Sequence, residues 1–154
     1  MNTRSNDRRL ASPPRGQLVI VLHRDAMTRR RLAFELIRLG CSVLPLLDEE
    51  ELLDYLDRSE AWHARVAFPD LLVADELTLG LAGMRRLAAR KESAYLLPIV
   101  LLRDTAVTPV TDEDMRGALH VVGVLRRPYT RQQLALIVTQ ALPSPYVDDS
   151  PLHW

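Results

Sequence analysis

"PDLLVADELTLGLAG", residues 69–83, is an apolar run that stops at a carboxylate and passes into a loop rich in glycine and leucine. Its segment "DLLVAD" is apolar on both faces, which is typical of a parallel strand covered by helices on two sides. Asp75 ends this strand. A carboxylate at the end of a buried strand loses hydration unless another group pairs with it, so the residues around Asp75 decide its role.

Strands and helices alternate along the chain on both sides of this segment. The other four predicted strands share an apolar core and are 17–23 (QLVIVLH), 41–47 (CSVLPLL), 97–102 (LPIVLL) and 120–125 (HVVGVL). A helix is predicted after each strand, over 26–39, 48–62, 81–91, 111–119 and 130–142. Five βα units with short connections predict an α/β fold, in which a doubly wound (βα)5 parallel sheet of five strands lies between two layers of helices.

Local signals mark several ends of these elements. Asp25 is predicted to cap the first helix. Two further helix starts have capping-box spacing, Asp48 with Glu51 and Thr130 with Gln133. The acidic run 48–51 therefore indicates a helix start rather than a metal site. Pro45 cannot donate a backbone hydrogen bond, so its strand is predicted at the edge of the sheet.

Composition divides the chain and limits its partners. Residues 1–16 are polar and proline-containing and are predicted to be a flexible arm, 17–142 form one domain, and 143–154 form a proline-rich tail. The formal net charge is zero, so direct DNA binding is not expected. The single cysteine, Cys41, and the lack of a signal peptide or a membrane-spanning window favour a cytoplasmic protein without membrane contact.

Three features in order support a resemblance to a known family. Asp75 ends the third strand, Gly83 follows eight residues later, and the fifth strand runs into Arg127, Pro128 and Tyr129. In this the chain resembles the response-regulator receiver domain, the CheY-like family, over about residues 17–142. The resemblance implies a CheY- or flavodoxin-like fold. It also implies that Asp75 matches the aspartate that accepts a phosphoryl group in receivers of two-component phosphorelays.

The metal-binding acids of the family are missing from this sequence. Receivers hold Mg²⁺ with the phosphoacceptor and two acids that follow the first strand, where this chain has His23 and Arg24. A guanidinium at a metal position repels the cation. Asp25 is the nearest acid and is expected to cap a helix, so Asp25 and Asp75 are weak metal candidates. We expect no metal and no cofactor, and Mg²⁺ only if Asp75 is an active phosphoacceptor.

Other family positions are also altered. The small hydroxyl at the end of the fourth strand matches Arg103 when counted along that strand and Thr105 when counted back from the fifth strand. The family's lysine becomes Arg127, which is not equivalent to lysine where a compact ammonium contacts a phosphoryl oxygen. The aromatic switch position matches Val124, which is small and apolar. The expected surroundings of Asp75 are thus a pocket lined by cations.

These substitutions favour a non-enzymatic function. The preferred hypothesis is an atypical, single-domain receiver, a pseudo-receiver in bacterial signal transduction that acts as a phosphorylation-independent protein–protein interaction module. The alternatives are an active phosphoacceptor using Asp75, and a regulator on the same fold that binds an anion or small molecule. The expected partner is a protein, such as a histidine kinase or a regulatory complex. A homodimer through the fourth helix, fifth strand and fifth helix is a further expectation from the family.

Overall fold

The computed structural model describes residues 17–60, 66–90, 97–104 and 118–142. Their helices and strands, in chain order, are β1 (Leu18–Leu22), α1 (Ala26–Arg38), β2 (Ser42–Leu46), α2 (Glu49–Glu60), β3 (Leu71–Asp75), α3 (Glu76–Ala88), β4 (Ile99–Asp104), β5 (Val121–Arg127) and α4 (Arg131–Ala141). The predicted arm 1–16, the tail 143–154 and most of the predicted helix 111–119 lie outside the described residues.

The five strands form one parallel sheet in the order β2-β1-β3-β4-β5. The predicted α/β architecture is therefore confirmed. The order reverses between β1 and β3, and the carboxyl ends of strands at such a reversal form the usual site edge of a doubly wound sheet. Asp75 ends β3 and lies at this edge.

Two apolar clusters, one on each face of the sheet, form the core. Within β1, Val19 and Val21 belong to one cluster, and Ile20 and Leu22 belong to the other. All four side chains have no exposed surface, which explains why the strand shows no alternation of polar and apolar residues. Helices α1 and α4 pack on the first face, and α2 and α3 pack on the second.

The helix starts match the local signals in the sequence. Asp25 caps α1, and Thr130 with Gln133 forms a complete capping box at α4. Asp48 accepts a hydrogen bond from the Glu51 N–H at 3.0 Å. The Glu51 carboxylate accepts one from the Leu47 N–H at 2.7 Å, one residue earlier than in a standard capping box.

Strand β2 lies at the edge of the sheet, as its proline predicts. It pairs with β1 alone, and Pro45 is level with Val21 of that strand. No helix among the described residues is long and apolar enough to cross a bilayer.

Helix α3 differs from its predicted bounds. It begins at Glu76, directly after Asp75, whereas the sequence predicts a loop as far as Gly80 and a helix from Leu81. The predicted loop is a first helical turn that ends at Gly80, where φ is 71° and ψ is 166°. Glycine adopts this conformation at little cost, so the chain turns there and continues as the longer part of α3.

Gly83 allows α2 and α3 to approach each other. A Cβ atom at this position would lie 3.0 Å from Leu79 Cδ1 and 3.4 Å from Glu49 Oε1. The space at Gly83 is thus limited first by Leu79 of the same helix and then by Glu49 of α2, and its backbone angle requires no glycine.

Candidate functional site

The ends of β1 and β3 bring His23 and Asp75 together. Leu22 is level with Ala74 in the sheet, so the next residue of each strand reaches the same edge. The His23 Nε2 atom lies 3.8 Å from Asp75 Oδ1. Both side chains are largely buried, with 10% of the histidine and 19% of the aspartate side chain exposed.

Asp75 caps α3. Its Oδ2 atom accepts hydrogen bonds from the Thr78 N–H at 3.1 Å and from the Thr78 hydroxyl at 2.5 Å. The same hydroxyl oxygen accepts a hydrogen bond from the backbone N–H of Arg24 at 3.1 Å. Thr78 therefore joins the cap of α3 to the loop that follows β1. The carboxylate is compensated by these donors and by the positive end of the helix.

His23 is held as a neutral imidazole. Burial lowers the pKa of His23, and the nearby Asp75 carboxylate opposes this effect only partly. Its Nδ1 atom accepts a hydrogen bond from the Asp25 N–H at 3.0 Å. In the neutral ring the proton then resides on Nε2, which faces Asp75. The histidine contributes orientation to the site and little positive charge near neutral pH.

Arg103 is expected beside Asp75 from its place in the sequence, and the structure corrects this expectation. Its Nε and Nη2 atoms donate to the two carboxylate oxygens of Glu76 at 2.8 and 2.9 Å. Only 5% and 4% of the two side chains are exposed. The hydrogen bond from the guanidinium to Glu76 raises the pKa of Arg103. Bidentate pairs of this kind are the strongest geometry between arginine and a carboxylate.

The register of the sheet explains the change of partner. Asp75 is level with Leu102, so Arg103 lies one residue further along β4, beside the first residue of α3. Glu76 occupies that place and takes the guanidinium. The predicted pocket in which several arginines compensate Asp75 is therefore wrong for Arg103.

The other predicted cations lie near the site without pairing with Asp75. Arg24 is exposed and contributes its backbone N–H. Arg127 is exposed at the end of β5, level with Asp104, and its positive charge acts to lower the pKa of His23. In the described part of the chain, the basic side chain within 4 Å of Asp75 is that of His23, which is held neutral.

Thr105 and Val124 are the remaining predicted residues of the site. Thr105 lies outside the described residues, so the choice between it and Arg103 for the family's hydroxyl position stays open. Val124 is half-buried and packs against the apolar cluster on the α2 and α3 face. It has no polar atom with which to report a change at Asp75.

Asp25 is engaged in capping. Its Oδ2 atom accepts from the Thr28 N–H at 2.9 Å and from the Thr28 hydroxyl at 2.6 Å. These hydrogen bonds lower the pKa of Asp25. Among the described residues, no group of three or more acidic, histidine or cysteine side chains could hold a metal ion.

Thr78 and Glu76 are the two site residues that the sequence reasoning missed. A signal for Thr78 was present, because Asp75 and Thr78 repeat the spacing of Asp25 and Thr28, in which an aspartate caps a helix through a threonine three residues later. Nothing in the sequence near Glu76 indicates its partner, which is 27 residues away.

The cap role of Asp75 predicts the effect of removing it. Asp75→Ala should lower the free energy of unfolding by about 0.5–2 kcal/mol, because the first turn of α3 loses its acceptor. Asp75→Asn should retain most of the stability, since asparagine caps helices about as well as aspartate. Urea denaturation of the three proteins measures both values. Equal losses in the two variants would show that the charge of Asp75, and not its cap, stabilises the fold.

Solved structures share this architecture. The CheY-like response regulator receiver domain protein from Methanospirillum hungatei JF-1 is 16% identical, with a TM-score of 0.66 over 82% of this chain and 94% of the other. The N-terminal domain of a response regulator/sensory box/GGDEF 3-domain protein from Carboxydothermus hydrogenoformans is 25% identical, with a TM-score of 0.64 over 81% and 93%. The chemotaxis response regulator CheY4 of Vibrio cholerae is 21% identical, with a TM-score of 0.63 over 82% and 98%.

No protein-family model matches the sequence, and no curated protein matches it significantly. The structural matches nevertheless extend over nearly the whole length of the three neighbours. Together with the strand order and the aspartate at the end of β3, they show that this chain has the fold of the CheY-like response-regulator receiver domains.

Proposed function

We propose that this chain is an atypical receiver domain in two-component signal transduction, and that it acts by binding another protein without phosphorylation of Asp75. The observation that carries the proposal is the state of the Asp75 carboxylate, which caps α3 through Thr78. Oδ2 accepts both hydrogen bonds from Thr78, and Oδ1 lies 3.8 Å from His23 Nε2, so the carboxylate is oriented as a helix cap beside an imidazole. The domain has no catalytic role in this proposal.

The surroundings of Asp75 support the proposal. Transfer of a phosphoryl group to a carboxylate needs a cation that neutralises the incoming charge, and Mg²⁺ prefers several oxygen ligands. At this edge of the sheet, the residues after β1 supply an imidazole and an exposed arginine in place of two acids. Asp25 is the acid among the residues that directly follow β1, and it is held by Thr28.

The buried ion pair of Arg103 and Glu76 gives a second reason. In an active receiver, the arriving phosphoryl group reorganises the groups at the ends of the fourth and fifth strands. Here the end of β4 is already held to the start of α3 by two charge-assisted hydrogen bonds. We infer that this edge keeps one conformation in the absence of a phosphoryl group.

The outward face of α1 is the surface on which we place the partner. Met27, Phe34 and Ile37 recur at helical spacing and are 65%, 57% and 56% exposed. Arg30 and Arg38 flank them, and the Arg38 guanidinium lies 5.9 Å from the centre of the Phe34 ring. We name these five residues the α1 stripe. Exposed apolar side chains grouped on one helix face, with cations at the sides, suit an apolar and acidic surface of another protein.

A histidine kinase or another regulatory protein remains the expected partner, and a cytoplasmic location is part of the same proposal. The expected dimer face of the family falls partly on the predicted helix 111–119, most of which lies outside the described residues. On its other elements, Val122 of β5 and Leu136 of α4 are 39% and 59% exposed.

Labelling with a small phosphoryl donor tests the proposal. After incubation with acetyl phosphate and Mg²⁺, intact-mass measurement should show the unmodified chain, because the site lacks the acids that hold the metal. An active receiver domain treated in parallel serves as the control. Stoichiometric labelling that is lost in Asp75→Asn would overturn the proposal and favour the active phosphoacceptor.

A further inference from the structure

A groove runs between α1 and α4 on the opposite side of α1 from Ile37. It consists of two adjoining cavities of about 230 and 250 Å³ that share Glu35, Arg131 and Leu134. The first cavity reaches the turn after β5, at Pro128 and Tyr129, and the second reaches the last turn of α1, at Arg38 and Leu39. The groove thus extends along most of α1.

The groove has a cationic rim and an apolar floor. Arg31, Arg38 and Arg131 line it, and Glu35 is the acid among its residues. Glu35 lies 3.7 Å from Arg131, and no carboxylate of residues 17–60, 66–90, 97–104 or 118–142 pairs with Arg31 or Arg38. Leu32 and Leu134 form part of the floor and are 3% and 2% exposed.

The tail 143–154 starts at the end of the molecule toward which the groove runs. Helices α1 and α4 both follow parallel strands and return across the same face of the sheet, so their carboxyl ends lie at the same end of the molecule. Leu142, the residue that follows α4, packs against the apolar cluster on this face of the sheet, to which Leu36 and Cys41 also belong. On α4 the second cavity reaches only Ala135, so the chain leaves the domain about 10 Å beyond this cavity, seven residues further along the helix.

The tail is long enough to follow the groove to its other end. Twelve residues, "PSPYVDDSPLHW", follow Leu142. An extended chain of this length spans about 40 Å. Helix α1 has 13 residues and is about 20 Å long. Pro143, Pro145 and Pro151 favour an extended segment, which is the form that grooves on proteins usually accept.

The chemistry of the tail complements that of the groove. Asp148 and Asp149 lie in its middle, where an extended chain would meet the arginines of the rim. Tyr146 and Trp154 lie on either side of the two acids and offer aromatic rings to the apolar floor. The chain has zero net charge, yet the groove is basic and the tail is acidic and aromatic. A tail in the groove brings these opposite charges together.

We propose that residues 143–154 dock within the same molecule in the groove between α1 and α4. The two aspartates pair with the arginines of the rim, and the aromatic side chains cover the floor. This inference does not depend on whether Asp75 accepts a phosphoryl group.

Tryptophan fluorescence of the full chain tests the docking. The sequence has two tryptophans, so Trp62→Phe leaves Trp154 as the single reporter. Trp154 should emit at shorter wavelength than the free peptide 143–154 and be quenched several-fold less by acrylamide. Raising the salt concentration to about 1 M, where the Debye length is about 3 Å, should weaken the protection.

Charge-reversal variants test whether this groove is the docking site of the tail. Arg31→Glu combined with Arg38→Glu should restore quenching to the level of the peptide, and so should Asp148→Arg combined with Asp149→Arg. Joining the two pairs of changes should recover protection, because the opposite charges face each other again. Arg58→Glu with Arg85→Glu is the matched control, since both arginines are exposed on the helices of the other sheet face. This control should change nothing.

Three results would overturn the inference. Trp154 as accessible as in the peptide would show an undocked tail. Protection that survives both charge reversals would place the tail elsewhere. Protection that disappears on dilution, with a dimer mass by light scattering, would show that a second copy occupies the groove. If the groove variant loses its circular dichroism spectrum, the tail variant alone decides, because its changes lie outside the described helices and strands.

Discussion

Replacing Glu76 with alanine is expected to lower the free energy of unfolding by about 3–5 kcal/mol, the usual cost of leaving one member of a buried ion pair behind. Arg103 would keep its charge in a place where 5% of its side chain is exposed. The guanidinium cannot release its proton to avoid this cost, because the pKa of arginine lies far above neutral pH. Urea denaturation of the variant and the parent gives the difference directly.

An exposed ion pair of the same chain provides the control. Glu50 pairs with Arg86 at 3.1 Å, but 67% and 49% of their side chains are exposed. Glu50→Ala should therefore destabilise the chain far less than Glu76→Ala does. Replacing both buried partners, as in Glu76→Leu with Arg103→Met, should recover much of the loss, since apolar side chains need no compensation. Equal losses for Glu76→Ala and Glu50→Ala would contradict the dominance of the buried pair.

A magnesium site is expected to appear when His23 and Arg24 are both changed to aspartate. Three carboxylates, including that of Asp75, would then meet at the ends of β1 and β3, and such a group of oxygen ligands suits Mg²⁺. Without metal the variant should be less stable than the parent, because like charges crowd one edge. Added Mg²⁺ should stabilise it by about 2.7 kcal/mol at a hundred times the dissociation constant.

Thermal melting at increasing Mg²⁺ concentrations measures this gain, and calorimetry measures the binding itself. The parent should show no response, and adding Asp75→Asn to the variant should weaken the response. If the variant folds but neither method detects Mg²⁺ binding, the match of His23 and Arg24 to the two acids of the family is wrong.

Local signals in the sequence were sufficient for the fold and for the helix caps. Asp25 and Thr130 cap their helices as predicted because a cap depends on residues three positions apart. The apolar strands predicted a sheet covered on both faces, and Pro45 predicted the edge strand. Each of these features depends on the chemistry of a short segment.

The partners of the site could not be predicted in the same way. Arg103 and Glu76 meet because strands β3 and β4 pair in the register that places Asp75 beside Leu102. This register cannot be predicted from either segment alone. The start of α3 was missed although its cap is local, since the spacing of Asp75 and Thr78 repeats that of Asp25 and Thr28. The glycine and leucine residues after Asp75 are typical of a loop. They nevertheless form one helical turn, because Asp75 caps it through Thr78 and the chain turns at Gly80.

The proline of β2 also bears on how copies of this protein behave toward one another. Ser42 donates its backbone N–H to the Gln17 carbonyl, and the Leu46 carbonyl accepts from the His23 N–H. The backbone groups of alternate residues of β2 therefore point toward β1. The backbone groups of Val43 and Pro45 therefore point away from β1, toward the edge of the sheet. Proline offers no N–H there, so a strand from another molecule would find one donor fewer along the edge. The edge thereby opposes the strand-to-strand aggregation to which an open parallel sheet is otherwise exposed.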